Sequence, residues 1–205
     1  MKTIAFIGVD GAGKTTLIRE IKKQLTNSRK KCVLRYMGFG RDYSIPLLSF
    51  FMGNYHKFKH RSGKYGFKDK KKILNDNYRI RRLSWILIQY LEFWFRYLRN
   101  KLFVRADFLF YDRYFYDGLI LANDFGFKII KKITPRPNIC FLIVASAELI
   151  RKRKKEATIV EINEFYQRAK RLSSHFEVIE VDNSGPLKEV AKEIVGKILN
   201  EFRNN

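Results

Sequence analysis

The sequence has little cysteine and little proline. Its 205 residues include two cysteines, Cys32 and Cys140, and four prolines. Two cysteines so far apart are too few for a disulfide framework or a zinc site, and both lie in apolar runs. We therefore expect buried free thiols in a cytoplasmic protein. The hydrophobic content of 46% is typical of a globular domain with a full core.

Acidic residues are scarce relative to basic ones. The chain carries 42 Lys and Arg against 20 Asp and Glu, which gives a net charge of +22. Such a chain attracts polyanions, so nucleic acid, nucleotide phosphates and anionic membrane surfaces are all candidate partners. Charge alone does not choose among these three classes of partner.

The sequence also lacks an apolar run long enough to cross a bilayer. Its most apolar stretch, residues 83–98, is short and contains Gln89, Glu92 and Arg96. We expect no integral membrane span and a buried or amphipathic helix here, with a peripheral membrane contact through its aromatic side chains as the alternative. Residues 1–11 contain no small-residue cleavage site, so we do not expect a secretory signal.

Apolar runs and amphipathic stretches alternate along the chain. Solid apolar runs predict buried strands over 3–8, 32–36, 108–111, 138–145 and 176–181. Helical spacing predicts helices over 14–27, 70–100, 114–125, 148–156, 160–174 and 186–202. Strands separated by helices indicate an α/β fold with a parallel sheet. No linker divides the chain, so we expect one domain over 1–205.

Residues 8–15, GVDGAGKT, form the most informative motif. They match G-x-x-x-x-G-K-[ST] and stand between an apolar strand and a helical pattern. The glycines allow a tight turn whose backbone N–H groups point into one anion cavity. Lys14 can reach the β- and γ-phosphates of a nucleotide, and the Thr15 hydroxyl can ligate Mg²⁺. The motif predicts a P-loop that binds nucleotide phosphates at the start of a helix.

Extended to GVDGAGKTTL over 8–17, this loop resembles that of the thymidylate kinase family of P-loop nucleoside monophosphate kinases. Residues 110–117, FYDRYFYD, resemble the family's D-R-Y/H-x-x-D/S segment, and 149–156, LIRKRKKE, resemble its basic lid. The resemblance implies a three-layer P-loop fold. Its five parallel strands would run in the order 2-3-1-4-5 between helices on both faces, with a lid at about 149–158 and an acceptor region at about 36–100.

The resemblance also implies cofactors, binding residues and an oligomeric state. ATP and Mg²⁺ are the expected cofactors. The expected ATP-binding residues are Gly8, Asp10, Gly11, Ala12, Gly13, Lys14, Thr15 and Thr16. Thr15 and Asp112 would hold the magnesium ion, with Asp112 acting through water. We further expect a homodimer formed through helices such as 70–100.

Four basic residues are the expected catalytic groups: Lys14, Arg113, Arg151 and Arg153. The resemblance implies that Arg113 clamps the acceptor phosphate, and that Arg151 and Arg153 close over the transferring phosphoryl group. Asp10 would touch the acceptor's sugar hydroxyl. Structural alternatives stay open for each group: a carboxylate that caps the loop, a buried ion pair after the third strand, and a solvated charged helix in the lid.

The chain departs from the family where the acceptor would bind. The family's R-E-P-G-G-type loop is missing after the second strand, where the sequence reads RYMGFGRDY. Arg35 and Arg41 could take over its role. Residues 56–72 interleave eight Lys or Arg residues with aromatic ones, a composition that suits RNA or another single-stranded nucleic acid.

Three functions are compatible with these features. The first is an ATP- and Mg²⁺-dependent phosphotransferase that moves the γ-phosphate of ATP to a nucleoside monophosphate, with dTMP as the first choice. The second is a kinase of the same fold that acts on a hydroxyl of RNA, a sugar or a saccharide. The third is a non-catalytic, nucleotide-dependent binding module. Steep salt dependence of binding to an RNA oligomer would favour a polymer partner.

Overall fold

The computed structural model describes residues 1–38, 79–122, 124–153 and 158–203. Arg41, the basic-aromatic stretch 56–72 and most of the expected acceptor region lie outside the described residues.

The chain divides into two compact units. One is formed by Met1–Met37 together with Arg105–Asn205, and the other by Gly38–Val104. The expectation of a single domain stays a prediction.

The first unit contains a five-stranded parallel sheet. Its strands are Lys2–Ile7 (β1), Cys32–Tyr36 (β2), Phe108–Asp112 (β3), Ile139–Val144 (β4) and Ile179–Asp182 (β5). The order across the sheet is β2-β3-β1-β4-β5, and every neighbouring pair is parallel. The expected α/β class, parallel sheet and strand order are therefore confirmed. β3 is buried along its whole length, as expected where helices cover a parallel sheet.

Helices alternate with the strands along the chain. In the described part of the chain they are Lys14–Asn27 (α1), Arg79–Phe103 (α2, in the second unit), Phe115–Leu121 (α3), Asp124–Ile133 (α4), Ala147–Arg153 (α5), Ile159–Ser173 (α6) and Leu187–Arg203 (α7). α1 packs against α7, and α3 packs against α4 and α6. α6 begins with a capping box, in which the Thr158 hydroxyl accepts from the Glu161 N–H and the Glu161 carboxylate accepts from the Thr158 N–H.

Two elements differ in extent from their predictions. The helix predicted over 114–125 corresponds to α3, which ends at Leu121 because the backbone at Ala122 is extended. A second helix, α4, begins at Asp124 and runs to Ile133, beyond the predicted range. The strand predicted over 176–181 begins later, at Ile179 (β5). The N–H of Phe176 still donates a hydrogen bond to the carbonyl of Leu172 at the end of α6, so Phe176 belongs to the helix end. In both places local backbone geometry overrides the apolar pattern.

The carboxyl ends of the strands meet at one edge of the sheet. The loop after β1, the last residue of β3 and the segment after β5 all lie at this edge because the strands are parallel. Across the sheet, the connection after β1 leads in one direction, to β2, and the connection after β4 leads in the other direction, to β5. The loop after β1 therefore lies where the strand order reverses, which is the usual position of ligand sites in open α/β sheets.

Candidate functional site

The loop 8–13 joins β1 to α1 and approaches β4 closely. Gly8 has a φ of +145°, and a Cβ atom placed on it would lie 2.5 Å from the carbonyl oxygen of Ile143. Gly13 has a φ of +85°, in the left-handed region, and forms the N-cap of α1. Glycine is therefore required at both positions by the geometry of the loop.

The N-terminus of α1 has no side-chain cap. Its first turn contains no acidic residue, and no side chain accepts a hydrogen bond from it. Within the described residues, the N–H groups of Gly13, Lys14, Thr15 and Thr16 have no backbone acceptor. These groups carry the partial positive charge of the helix end. The loop and the first turn together present backbone groups that favour an anion.

Lys14 is buried and folds back onto its own loop. Its Nζ donates to the carbonyl of Gly8 at 2.9 Å and to the carbonyl of Val9 at 2.8 Å, and it lies 4.0 Å from Asp10 Oδ1. Burial and the nearby charge of Arg113 lower the pKa of Lys14 to about 8, although Asp10 opposes this effect. The lysine is thus a desolvated cation held mainly by backbone carbonyls.

The hydroxyl of Thr15 meets the carboxylate of Asp112. Thr15 lies in the first turn of α1 and Asp112 ends β3, and Thr15 Oγ1 donates to Asp112 Oδ2 at 2.5 Å. The two residues predicted to share a magnesium ion are therefore adjacent. Among the residues that the structure describes, no group of three or more His, Cys, Asp or Glu could hold a metal ion.

Arg113 follows β3 and lies between two carboxylates. Its φ is +70°, and its N–H donates to the carbonyl of Phe6 at 2.9 Å, which fixes it at the edge of the sheet. Its Nη2 donates a hydrogen bond to Asp10 Oδ1, and its Nη1 lies 3.4 Å from Asp117 Oδ1. The guanidinium therefore bridges the loop after β1 and the first turn of α3.

The two carboxylates keep Arg113 charged. Burial lowers the pKa of Arg113, but Asp117 and Asp10 together raise it above its ordinary value. Burial raises the pKa of Asp117, against the opposing effect of the guanidinium. The Asp117 carboxylate also accepts a hydrogen bond from the N–H of Tyr114 at 3.1 Å. Two nitrogens of Arg113 are thus already engaged by carboxylates.

Two further side chains flank Gly13. Asn183, which directly follows β5, is buried and donates from Nδ2 to the carbonyl of Ala12 at 2.7 Å. Its own N–H donates to the carbonyl of Val144 at 2.8 Å. Arg153, the last residue of α5, places its Nη1 3.2 Å from where a Cβ on Gly13 would lie. An amide and a cation therefore stand beside the N-cap of α1.

The remaining predicted site residues differ in whether they lie at the loop. Gly11 lies in the loop with a φ of +96°, and the buried Ala12 contributes its carbonyl group. Thr16 is exposed in the first turn of α1. Arg151 is exposed on α5 and forms no hydrogen bond or ion pair within the described part of the chain. Arg153 is thus brought to the loop, and no contact of this kind places Arg151 there.

Two residues of the cluster were not predicted as site residues. Asn183 lies in the turn DNSG, where the only usable signal was its place directly after a strand at the ligand-binding edge. Asp117 ends the FYDRYFYD segment, so the segment itself could have indicated it. Asn183 contacts the loop directly at Ala12, and Asp117 acts on it through Arg113.

We expect Asn183→Ala to lower the free energy of unfolding by about 1–3 kcal/mol, because it leaves the buried carbonyl of Ala12 without its donor. Urea unfolding of the variant and the parent protein measures this change. Ser184→Ala, at the exposed neighbouring residue, is the matched control and should change stability little. Equal stability of both variants would mean that the amide does not hold the loop.

No protein-family model matches the chain, and a search of curated proteins finds no significant match.

Proposed function

We propose that the chain is an ATP- and Mg²⁺-dependent phosphotransferase of the thymidylate kinase-like type. The observation that carries the proposal is Lys14, a buried cation beside an uncapped helix N-terminus. Burying a charge is costly unless a partner compensates it, and a bound phosphate would supply that partner. Arg153, next to Gly13, adds a third positive feature at the same place.

The phosphates of ATP would bind in the loop 8–13. The N–H groups at the start of α1 would donate to phosphate oxygens, and Lys14 would exchange its two carbonyl acceptors for them. Three glycines of the loop, Gly8, Gly11 and Gly13, already have the positive φ angles that a tight turn around an anion needs. The loop is therefore preorganised for the ligand in its backbone.

Thr15 and Asp112 fit a magnesium ion. Their oxygens are already within hydrogen-bonding distance, and a hydroxyl with one carboxylate suits an ion that takes its other ligands from water and phosphate. When bound, Mg²⁺ would neutralise charge on the β- and γ-phosphates. Thr15 would hold the ion through its hydroxyl and Asp112 would hold it through water, while β3 and α1 keep both residues in place.

Arg153 would neutralise charge that develops on the transferring phosphoryl group. Phosphoryl transfer depends on positioning and charge neutralisation more than on covalent chemistry. Arg153 stands beside the N-cap of α1, where the phosphates would bind. For a nucleoside monophosphate acceptor, an acceptor phosphate oxygen attacks the γ-phosphorus and the bond to the ADP leaving group breaks. The acceptor oxygen is already anionic and needs no base.

A hydroxyl acceptor is the second candidate, and the Arg113 cluster favours it. Arg113 is the predicted clamp for an acceptor phosphate, yet two of its nitrogens are engaged by Asp10 and Asp117. Asp10, whose side chain is 49% exposed, is able to accept a proton from an acceptor hydroxyl as that oxygen attacks phosphorus. RNA, sugars and saccharides offer such hydroxyls.

Transfer of labelled γ-phosphate from ATP tests the proposal. The assay offers nucleoside monophosphates, including dTMP, in parallel with RNA and free sugars. Label on dTMP or another monophosphate supports the first candidate, and label on RNA or a sugar supports the second. Binding of ATP without transfer to any of these acceptors supports a non-catalytic binding module and contradicts both candidates.

Asp10→Asn separates the two acceptor classes. With a hydroxyl acceptor, loss of the base should lower kcat by about 10²-fold or more. With a phosphate acceptor, the substitution frees Arg113 from one carboxylate, so KM for the acceptor should fall while kcat changes little. Steady-state kinetics with the accepted substrate distinguishes the two patterns.

The affinity for ATP should fall with rising pH because Lys14 has a lowered pKa. Phosphate binds the charged lysine and raises its pKa, so affinity is full below about pH 8 and declines above it. If only charged Lys14 binds, the Kd for ATP should increase about tenfold between pH 7 and pH 9. Calorimetric titration at the two pH values measures the Kd for ATP. An unchanged Kd over this range would show that Lys14 does not meet the phosphates.

A further inference from the structure

Helix α2 carries an exposed apolar face. Leu91, Phe95, Leu98 and Leu102 are 62%, 44%, 48% and 73% exposed. Their spacing of four, three and four residues places them in one stripe along the helix. We call this stripe the apolar ridge. A continuous exposed row of large apolar side chains marks an interaction surface rather than scattered surface residues.

The ridge is not the buried side of α2. The buried residues described on α2 are the aromatic Tyr90 and Phe93 together with the polar Glu92, Arg96 and Asn100, each at most 5% exposed. Arg96 Nε donates a hydrogen bond to Glu92 Oε1 at 2.7 Å, so these buried residues include an ion pair. Among the described side chains of α2, the ion pair and two aromatic rings are buried while the ridge residues are exposed, which points to a partner for the ridge.

Exposed cations stand beside the ridge. Arg99 and Lys101 are exposed, and the single acidic residue of α2, Glu92, is buried. The exposed side chains described on α2 are thus either apolar or positively charged. The chain as a whole carries a charge of +22. A second copy would bring like charges together, whereas an anionic surface would complement them.

We propose that the apolar ridge docks on an anionic lipid bilayer, with α2 lying in the plane of the interface. The leucines and Phe95 would enter the boundary between headgroups and acyl chains, and Arg99 and Lys101 would contact the headgroup charges. No helix of the described residues is long and apolar enough to cross a membrane. The proposal stands independently of the phosphotransferase activity, since it uses no residue of that site.

Vesicle co-sedimentation of the full chain tests the proposal. We expect the protein to partition onto phosphatidylcholine vesicles that contain 30% phosphatidylglycerol, and to remain unbound with phosphatidylcholine alone. The double variant Leu98→Gln and Leu102→Gln keeps the charge and the helix propensity but removes two ridge leucines. It should lower the partition coefficient about tenfold or more. Arg99→Gln with Lys101→Gln should weaken binding at low salt.

A matched control is available on α4. Ile129 and Ile133 are 48% and 45% exposed and lie one turn apart, beside lysines. Ile129→Gln with Ile133→Gln should leave vesicle binding unchanged. Equal binding of the ridge variant and this control, or no binding of the parent protein to anionic vesicles, would overturn the proposal.

The same variants test the rival occupant. Sedimentation equilibrium at tens of micromolar reports whether the chain forms the homodimer implied by its family resemblance. A dimer that the ridge variant dissociates, in a protein that binds no vesicle, would assign the ridge to a second copy and overturn the lipid proposal. Vesicle binding by a protein whose oligomeric state the ridge variant leaves unchanged would support it.

Discussion

Lys14→Met is expected to lower phosphoryl transfer by on the order of 10³-fold, because it removes the cation that the loop would bring to the phosphates. The same variant should keep or increase its stability. Folding lowers the pKa of Lys14 from 10.5 to about 8, so at pH 7 the charged lysine costs the folded protein about 3 kcal/mol. Loss of the hydrogen bonds to Gly8 and Val9 offsets part of this gain.

The pH dependence of stability gives a second test of the lowered pKa of Lys14. The cost of the charge is fully present below about pH 8 and disappears as the pH rises to 10.5. The stability advantage of Lys14→Met over the parent protein should therefore shrink between pH 7 and pH 10. Lys23→Met, at an exposed lysine of α1, serves as the control for activity and stability. A variant that loses both activity and stability would show that Lys14 supports the fold rather than the reaction.

Gly8→Ala should destabilise the protein by about 3 kcal/mol or more. The new Cβ would lie 2.5 Å from the carbonyl oxygen of Ile143, and that atom belongs to the backbone of β4, so no side chain can move aside. The φ of +145° adds strain for any residue with a Cβ. The expected decrease in Tm is roughly 6–12 °C, measured by calorimetry.

Gly196→Ala is the matched control for this substitution. Gly196 lies within α7, and nothing comes within 4 Å of a Cβ placed on it. Alanine there should stabilise the protein by about 0.5–1 kcal/mol, since glycine weakens a helix interior. Opposite signs for the two glycines would identify close approach to β4 as the cause. A Gly8→Ala protein as stable as its parent would contradict the loop geometry.

Local patterns predicted the elements better than their ends. The apolar spacing of α1 and the short run at β2 gave the observed bounds. The start of β5 was missed because Phe176 is apolar but closes the end of α6. The strand order came from the family resemblance, since periodicity carries no information about which strands pair.

The site was predictable where one motif contains it. The motif places Lys14 and Thr15 beside the loop because consecutive residues cannot separate. The meeting of Thr15 with Asp112 agrees with the family resemblance, which implied that both residues hold one magnesium ion. Asn183 was missed because its hydrogen bond to Ala12 spans the chain and leaves no local pattern. The choice of Asp10 and Asp117 as partners of Arg113 likewise depends on tertiary packing.

The position of β1 has a consequence for synthesis on the ribosome. β1 is made before both of its neighbours, β3 and β4, and Ile4 pairs with Ile139. The two edges of this apolar strand therefore stay open until β3 and then β4 have been translated. During that time a nascent chain of strong positive charge emerges beside ribosomal RNA. Until β4 is made, the unpaired edge of β1 is available for pairing with strands of other chains.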